Sequence, residues 1–408
     1  MGFGLENDLL LMLLRGSLTD DKAKMQEIGQ SIVAELQKGC TADWDKLLKT
    51  AKQHSVLSLL YPICEGAECG IPKSVQDVVQ KAAVGVTKQS YRLLFLSKFL
   101  LYRLREAKIP VALLKGVATA SYYPIAEYRK SGDVDLLLLD ADKLEMCSGI
   151  LTDCGCVRNE NQDALHHVTF MSEAGIEVEL HTLLAEPFDN RKANKYLEEL
   201  VPQCVHQVQQ KEIMGVTLPI LKDGYHAYEL LLHMLQHFLR AGFGLKLLCD
   251  WVVFWNQAHS EGECELYLKL VTESGMKGFS DMVTQVCCQY LGLNPNNVTW
   301  MGLDPTMDSA DFMREVLEAE EFGHSASDRM VVLRGNGLWA YVREFHHQMR
   351  LRFPKAGRCF LCWPVLWMIT FVRFVNNNRK VRNVSTKEVL SKASERSKII
   401  QKINLWKS

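Results

Sequence analysis

The sequence predicts a mixed α/β (α+β) fold, with a strand-rich middle over residues 105–220 between helical regions at 1–104 and 221–408. Three observations predict it. Residues 134–139 are an unbroken apolar run, the length of a strand buried on both faces. Residues 167–172 and 176–184 alternate polar and apolar, and Glu173, Ala174 and Gly175 between them read as a tight turn, so the pair is a β-hairpin. On both sides of this region, apolar residues recur at helical spacing.

In chain order, residues 9–14 are apolar but short and preceded by acidic residues, which fits the buried face of a first helix rather than a secretory signal. Asp43 is placed to cap a helix whose inner face carries Trp44, Leu47, Leu48 and Ala51. An apolar segment at 109–114 leads into Lys115 and Gly116. The run at 134–139 is followed by a helical pattern at 142–151. From Asp223 the helical period returns, with Leu231, Leu232, Leu235, Phe238 and Leu239 as an inner stripe that Gly242 ends.

Residues 359–372 are apolar, short for a membrane span, and contain Pro364, which suits a core or interfacial helix. After residue 372 basic residues dominate, opposed only by Glu388 and Glu395, which reads as a solvated end or a surface for an anionic partner. Membrane-surface contact through 359–408 is thus one expectation.

Composition bounds the rest. The chain has 408 residues, 48% of them hydrophobic and 23% charged, which describes a globular protein large enough for two or three domains. A net charge of −1 supplies no global field for nucleic acid. Thirteen cysteines, an odd number, fit a reducing cytoplasm better than a disulfide framework. Cys154 with Cys156, Cys287 with Cys288, and Cys359 with Cys362 lack zinc-type partner pairs and are expected to be buried structural thiols.

The chemistry gathers around two aspartates. Asp133 and Asp135 alternate on one strand, so they face the same way, roughly 6–7 Å apart. Such a pair at the head of a buried strand repels itself unless a cation lies between. Glu177, Glu179 and His181 share one face of the second hairpin strand, with Val178 and Leu180 on the other. Glu179 is the expected third ligand, with Glu177 able to substitute, and Glu179 is also a candidate base.

Lys115 beside Gly116 is a candidate phosphate clamp. Arg129 is a candidate either to neutralise a polyphosphate or to pair with an acid and fix the loop, and Ser131 joins the nucleotide-binding candidates. His166 and His167 are expected to contact substrate. His233 and His237, one helical turn apart, read as core or pocket histidines, and Lys246 with Asp250 as an ion pair at the cleft edge.

These residues carry a resemblance. Leu114-Lys115-Gly116, Tyr123-Pro124, Arg129, the Asp133-x-Asp135 pair and Val178-Glu179-Leu180-His181 resemble the uncharacterised nucleotidyltransferase family within the DNA polymerase beta superfamily. Asp43-Trp44 with Ala51 and His54 resembles its N-terminal helical region. His233 to His237, Gly242 to Lys246 and Asp250-Trp251 resemble its C-terminal one. The likeness extends over about residues 40 to 370.

It implies a nucleotidyltransferase-type mixed sheet. It also implies Mg²⁺-dependent transfer of a nucleoside monophosphate from a nucleoside triphosphate to an acceptor hydroxyl or phosphate, two Mg²⁺ being bridged by Asp133, Asp135 and Glu179. The acceptor stays open among small molecules, peptides and proteins, with the near-neutral charge arguing against nucleic acid. Two rivals remain: a non-catalytic nucleotide- or partner-binding protein, and an RNA-modifying enzyme. One departure is the Val117 that follows Gly116, where the superfamily usually has serine or glycine; Lys115, Thr119 or Ser121 would have to compensate.

Overall fold

The computed structural model describes residues 2–38, 41–160, 162–240, 242–304, 309–319, 338–353, 356–380, 402–403 and 405–406. The first region holds α1 (Leu5–Ser17), α2 (Lys22–Leu36), α3 (Trp44–Gln53), α4 (Tyr61–Gly66) and the long α5 (Lys73–Glu106). Leu9, Leu10, Leu11, Leu13 and Leu14 are all buried, so α1 is enclosed on nearly every side rather than on one face. Asp43 caps α3 as expected, accepting from the Lys46 N–H and turning Leu47 and Ala51 inward.

The middle region follows the order β1 (Val111–Leu113), α6 (Lys115–Ala120), β2 (Asp133–Leu138), α7 (Leu144–Asp153), β3 (Val157–Arg158), β4 (His167–Met171), β5 (Glu177–His181), α8 (Arg191–Leu200), β6 (Val208–Ile213) and β7 (Val216–Leu221). Its strands form one seven-stranded mixed sheet in the order β3-β4-β5-β2-β1-β7-β6. Strands β4 and β5 are the expected hairpin, with Gly175 supplying the positive φ of 69° at its turn. β2 lies between β1, antiparallel, and β5, parallel. It has strands on both edges and is buried on both faces, which is why its sequence is apolar without alternation.

The two faces of the sheet serve two hydrophobic clusters. Val134, Leu136, Leu138, Val178 and Leu180 pack with Leu93, Leu94, Leu100, Leu101 and Leu104 of α5. The opposite face contributes Ala112, Leu114, Leu137 and Leu221 to the larger cluster made by the remaining helices. Those are α9 (Asp223–Arg240), α10 (Leu245–Trp255), α11 (Glu261–Glu273), α12 (Lys277–Val286) and α13 (Ala310–Glu318), followed by α14 (Leu338–Arg352) and α15 (Trp363–Lys380). His54 ties α3 to this set, with its Nδ1 accepting from the Leu245 N–H and its Nε2 3.3 Å from the Leu317 carbonyl.

Of the core and interfacial readings of residues 359–372, the core one is excluded: α15 buries Leu366 and Thr370 but leaves Val365, Met368, Phe371 and Val372 exposed. One expectation is corrected outright. Cys359 and Cys362 are exposed rather than buried, because they lie in the turn leading to that outer face. Among the described residues, no helix is long and apolar enough to cross a membrane. The basic stretch at 381–401 lies outside the described residues.

Candidate active site

Register builds the site. Parallel pairing places Asp133 opposite Glu177 and Asp135 opposite Glu179, and antiparallel pairing places His167 opposite His181. Side chains directly opposite on neighbouring strands share a face, so the aspartates, the two glutamates and His181 converge. Since Val178 and Leu180 must enter the core, the acids have only this face left. One ligand atom from each of Asp135, Glu179 and His181 lies within 4.8 Å of the others. Asp133 is not in that group; it flanks it.

Charge within the site is already partly balanced. His181 Nε2 lies 3.0 Å from Asp135 Oδ1 and 3.1 Å from Glu179 Oε2. The Lys115 ammonium lies 3.0 Å from Asp135 and 3.9 Å from Glu179. The cation that the sequence argument demands between the acids is thus supplied in part by two of the chain's own side chains.

Protonation follows from this. Burial works against ionisation of Glu179, but the His181 hydrogen bond and the charge of Lys115 outweigh it and hold the carboxyl far below the usual range. Burial would neutralise His181, yet its bonds to Asp135 and Glu179 push it up to about 9. Asp133 is pushed up to about 6, first by the neighbouring Asp135 charge and then by burial. One oxygen of Asp135, Oδ2, is buried with no hydrogen-bond partner.

Lys115 and Gly116 occupy the turn from β1 into α6. The Leu114 N–H bonds to the Asp135 carbonyl, fixing the turn to β2. Gly116 has φ 37° and ψ −111°, and a Cβ there would stand 3.1 Å from Ser131 Oγ and 3.9 Å from Asp135 Oδ2. Glycine is needed both for the backbone angle and for the approach. Gly116→Ala is expected to cost about 1–3 kcal/mol of stability and to weaken nucleotide binding, as a urea titration and calorimetry would show. An alanine variant with native affinity would remove the loop from the site.

Arg129 takes the second of its two expected roles. Its guanidinium is buried, forks Asp250 at 2.7 and 2.8 Å, and donates to the Gly116 carbonyl at 2.9 Å. Tyr123 donates to the same carboxylate at 2.7 Å. The partner of Asp250 at the site is therefore Arg129, 121 residues away. This buried pair ties the glycine turn to α10. Ser131 Oγ lies 3.4 Å from Arg129 Nη1, so its hydroxyl faces the turn. Thr119 is buried against His226, and Ser121 donates to the Ala118 carbonyl.

Sequence reasoning missed Glu229. It reaches the site from α9, is 2% exposed, and is pushed up to about 7 by burial, with the Lys115 charge opposing that shift. His233 and His237 follow it one and two turns along the same helix, with ring nitrogens 2.9 Å apart. The helical spacing that pairs the two histidines, extended one turn back, is the signal that could have added Glu229.

The fold is a nucleotidyltransferase-like mixed sheet, with carboxylates on adjacent parallel strands and a lysine–glycine turn beside them. The chain belongs to the uncharacterised nucleotidyltransferase family, whose model matches residues 41–292, more than half of its length. A search of curated proteins gives no match. Among solved structures, an antigenic nucleotidyltransferase-like protein from Paracoccidioides brasiliensis is similar at 17% identity over 44% of this chain and 88% of that one, with a TM-score of 0.29. A superposition that slight carries no argument.

Proposed function

We propose that the protein transfers a nucleoside monophosphate from a nucleoside triphosphate to an acceptor hydroxyl or phosphate, with Mg²⁺ held by Asp135 and Glu179 and flanked by Asp133. The observation that carries this is the in-register placement of Asp135 beside Glu179 on parallel strands. The residues fit a divalent cation: the donors are hard oxygens, and the buried Oδ2 of Asp135 has no other partner. When bound, the cation would neutralise the triphosphate and acidify the acceptor hydroxyl.

The chain's own groups divide the remaining work. Lys115, relieved of its pair with Asp135, supplies a point charge for the phosphates. Gly116 lets the backbone approach them. Arg129 works indirectly, holding the turn through the Gly116 carbonyl. His181 and Lys115 hold Glu179 in its charged form, which suits the ligand role. Free thiols at all twelve described cysteines support a reducing, cytoplasmic setting for the reaction.

The test is incubation of purified protein with Mg²⁺, labelled nucleoside triphosphates and fractionated cell extract, with mass spectrometry of the products. A nucleotidylated product with release of pyrophosphate supports the proposal. Tight Mg²⁺-dependent nucleotide binding without any product would make this a binding protein on a transferase fold. In the same system, Lys115→Ala is expected to weaken nucleotide binding about tenfold or more while leaving Mg²⁺ affinity unchanged or raised, since an ammonium competing for Asp135 is removed. Unchanged nucleotide affinity by calorimetry would return Lys115 to a purely charge-balancing role.

A further inference from the structure

We propose that His166, His167 and His181 form a binding site for a transition-metal ion of the zinc class, beside the carboxylate centre and sharing His181 with it. Register brings the rings together. His167 and His181 are opposite each other on β4 and β5. His166 immediately precedes β4, and its carbonyl accepts from the Thr182 and Leu183 N–H groups at 2.8 and 3.3 Å. Those two bonds pin the mouth of the hairpin and leave little freedom to splay the rings.

Ring centroids stand 4.3 Å apart for His166 and His167, 5.1 Å for His167 and His181, and 5.6 Å for His166 and His181. One nitrogen from each ring lies within 4.8 Å of the others. His166 is 8% exposed and His181 4%, so most of the site is built inside the protein.

The chemistry of the donors selects the ion. Imidazole nitrogen suits Zn²⁺, Co²⁺, Ni²⁺ and Cu²⁺ and is a poor match for Mg²⁺, which prefers oxygen. Three imidazoles with a fourth position open to water or another ligand form a familiar zinc set. Histidine ligands of metals usually hold the ion through one nitrogen while a carboxylate anchors the other. His181 has that anchor, since Nε2 meets Asp135 and Glu179. Its Nδ1 is buried and has no hydrogen-bond partner, so it is a donor nitrogen for a metal once the ring has given up its extra proton. In the metal-free protein the cluster holds together through the 3.1 Å contact between His167 Nδ1 and His166 Nε2.

The test is titration of chelator-treated full-length protein with Co²⁺, followed by visible absorption. The expected result is one equivalent of Co²⁺ giving the intense ligand-field bands of a four-coordinate centre, displaced by Zn²⁺ but not by excess Mg²⁺. His167→Gln and His166→Asn are each expected to weaken binding about tenfold or more, while Asp133→Asn keeps it. His167 is the least buried of the three, so its variant tests the site even if the His166 variant fails to fold, and circular dichroism checks both. Two results would overturn the proposal. One is a weak six-coordinate spectrum erased by Mg²⁺; the other is native Co²⁺ affinity in the folded His167 variant. Absence of nucleotidyl transfer would leave these readouts untouched, because they do not depend on turnover.

Discussion

Asn in place of Asp135, or Gln in place of Glu179, is expected to lower nucleotidyl transfer on the order of 10³-fold or more, with the fold retained. The two carboxylates stand side by side on β2 and β5 and are the hard donors of the centre. Losing one ligand removes several kcal/mol of charge stabilisation from the reaction, and about 1.4 kcal/mol corresponds to each factor of ten. Single-turnover assays with saturating nucleotide would measure it. Near-native turnover in either variant would mean that the acids are not ligands.

Asp133→Asn separates catalysis from stability in the same assay. In the folded protein the Asp133 carboxyl titrates at about 6, above its ordinary 3.8. A folded group that binds protons more tightly than the unfolded one stabilises at low pH, and that contribution is lost as pH rises through about 6. The metal-free variant should therefore gain relative to wild type at pH 7.5, by no more than about 3 kcal/mol, and should gain little at pH 4. Urea midpoints at the two pH values would show it. Added Mg²⁺ should stabilise the wild type and do less for the variant.

Asp250→Ala is expected to cost about 3–5 kcal/mol of stability, because it leaves the Arg129 guanidinium buried and unpaired. Arg129→Lys keeps the charge but cannot fork the carboxylate and reach the Gly116 carbonyl together, so it should fall between the two. The double variant Arg129→Met with Asp250→Leu distinguishes the two functions of the pair. Apolar replacement of both partners should recover much of the stability. It should not recover nucleotide affinity, since the tie to the glycine turn is gone. Denaturation curves and nucleotide titrations of the three variants would check this; a double variant with native affinity would confine Arg129 to packing.

Much of this was legible in the sequence because it is local. β2 announces itself as an apolar run with two acids at its head, and the β4–β5 hairpin fixes which face Glu179 and His181 share. What escaped is nonlocal. Nothing near Arg129 shows that its partner stands 121 residues on, or that its other nitrogen caps the Gly116 carbonyl. Glu229 is one polar residue in an apolar helix and gains meaning only where α9 crosses the site. The demand for a metal between the acids was incomplete, because sequence cannot show that Lys115 and His181 already stand among them. The choice between core and interfacial helix at α15 stayed open because an apolar run looks the same whether it is covered or bare.

Helix α5 has a consequence for how the molecule comes apart. Its 34 residues run about 50 Å. Val75 and Val79 near its start lie in one hydrophobic cluster, and Leu93 to Leu104 near its end lie in the other. Neither cluster can open without stripping part of this shared beam. The sheet that carries the acids is therefore poorly suited to excision: a fragment starting near residue 105 would bare one whole apolar face. In hydrogen exchange, the amides of β2 should open only with the amides of α5, at a common free energy, so that the acid-bearing sheet and the helical framework behave as one cooperative unit.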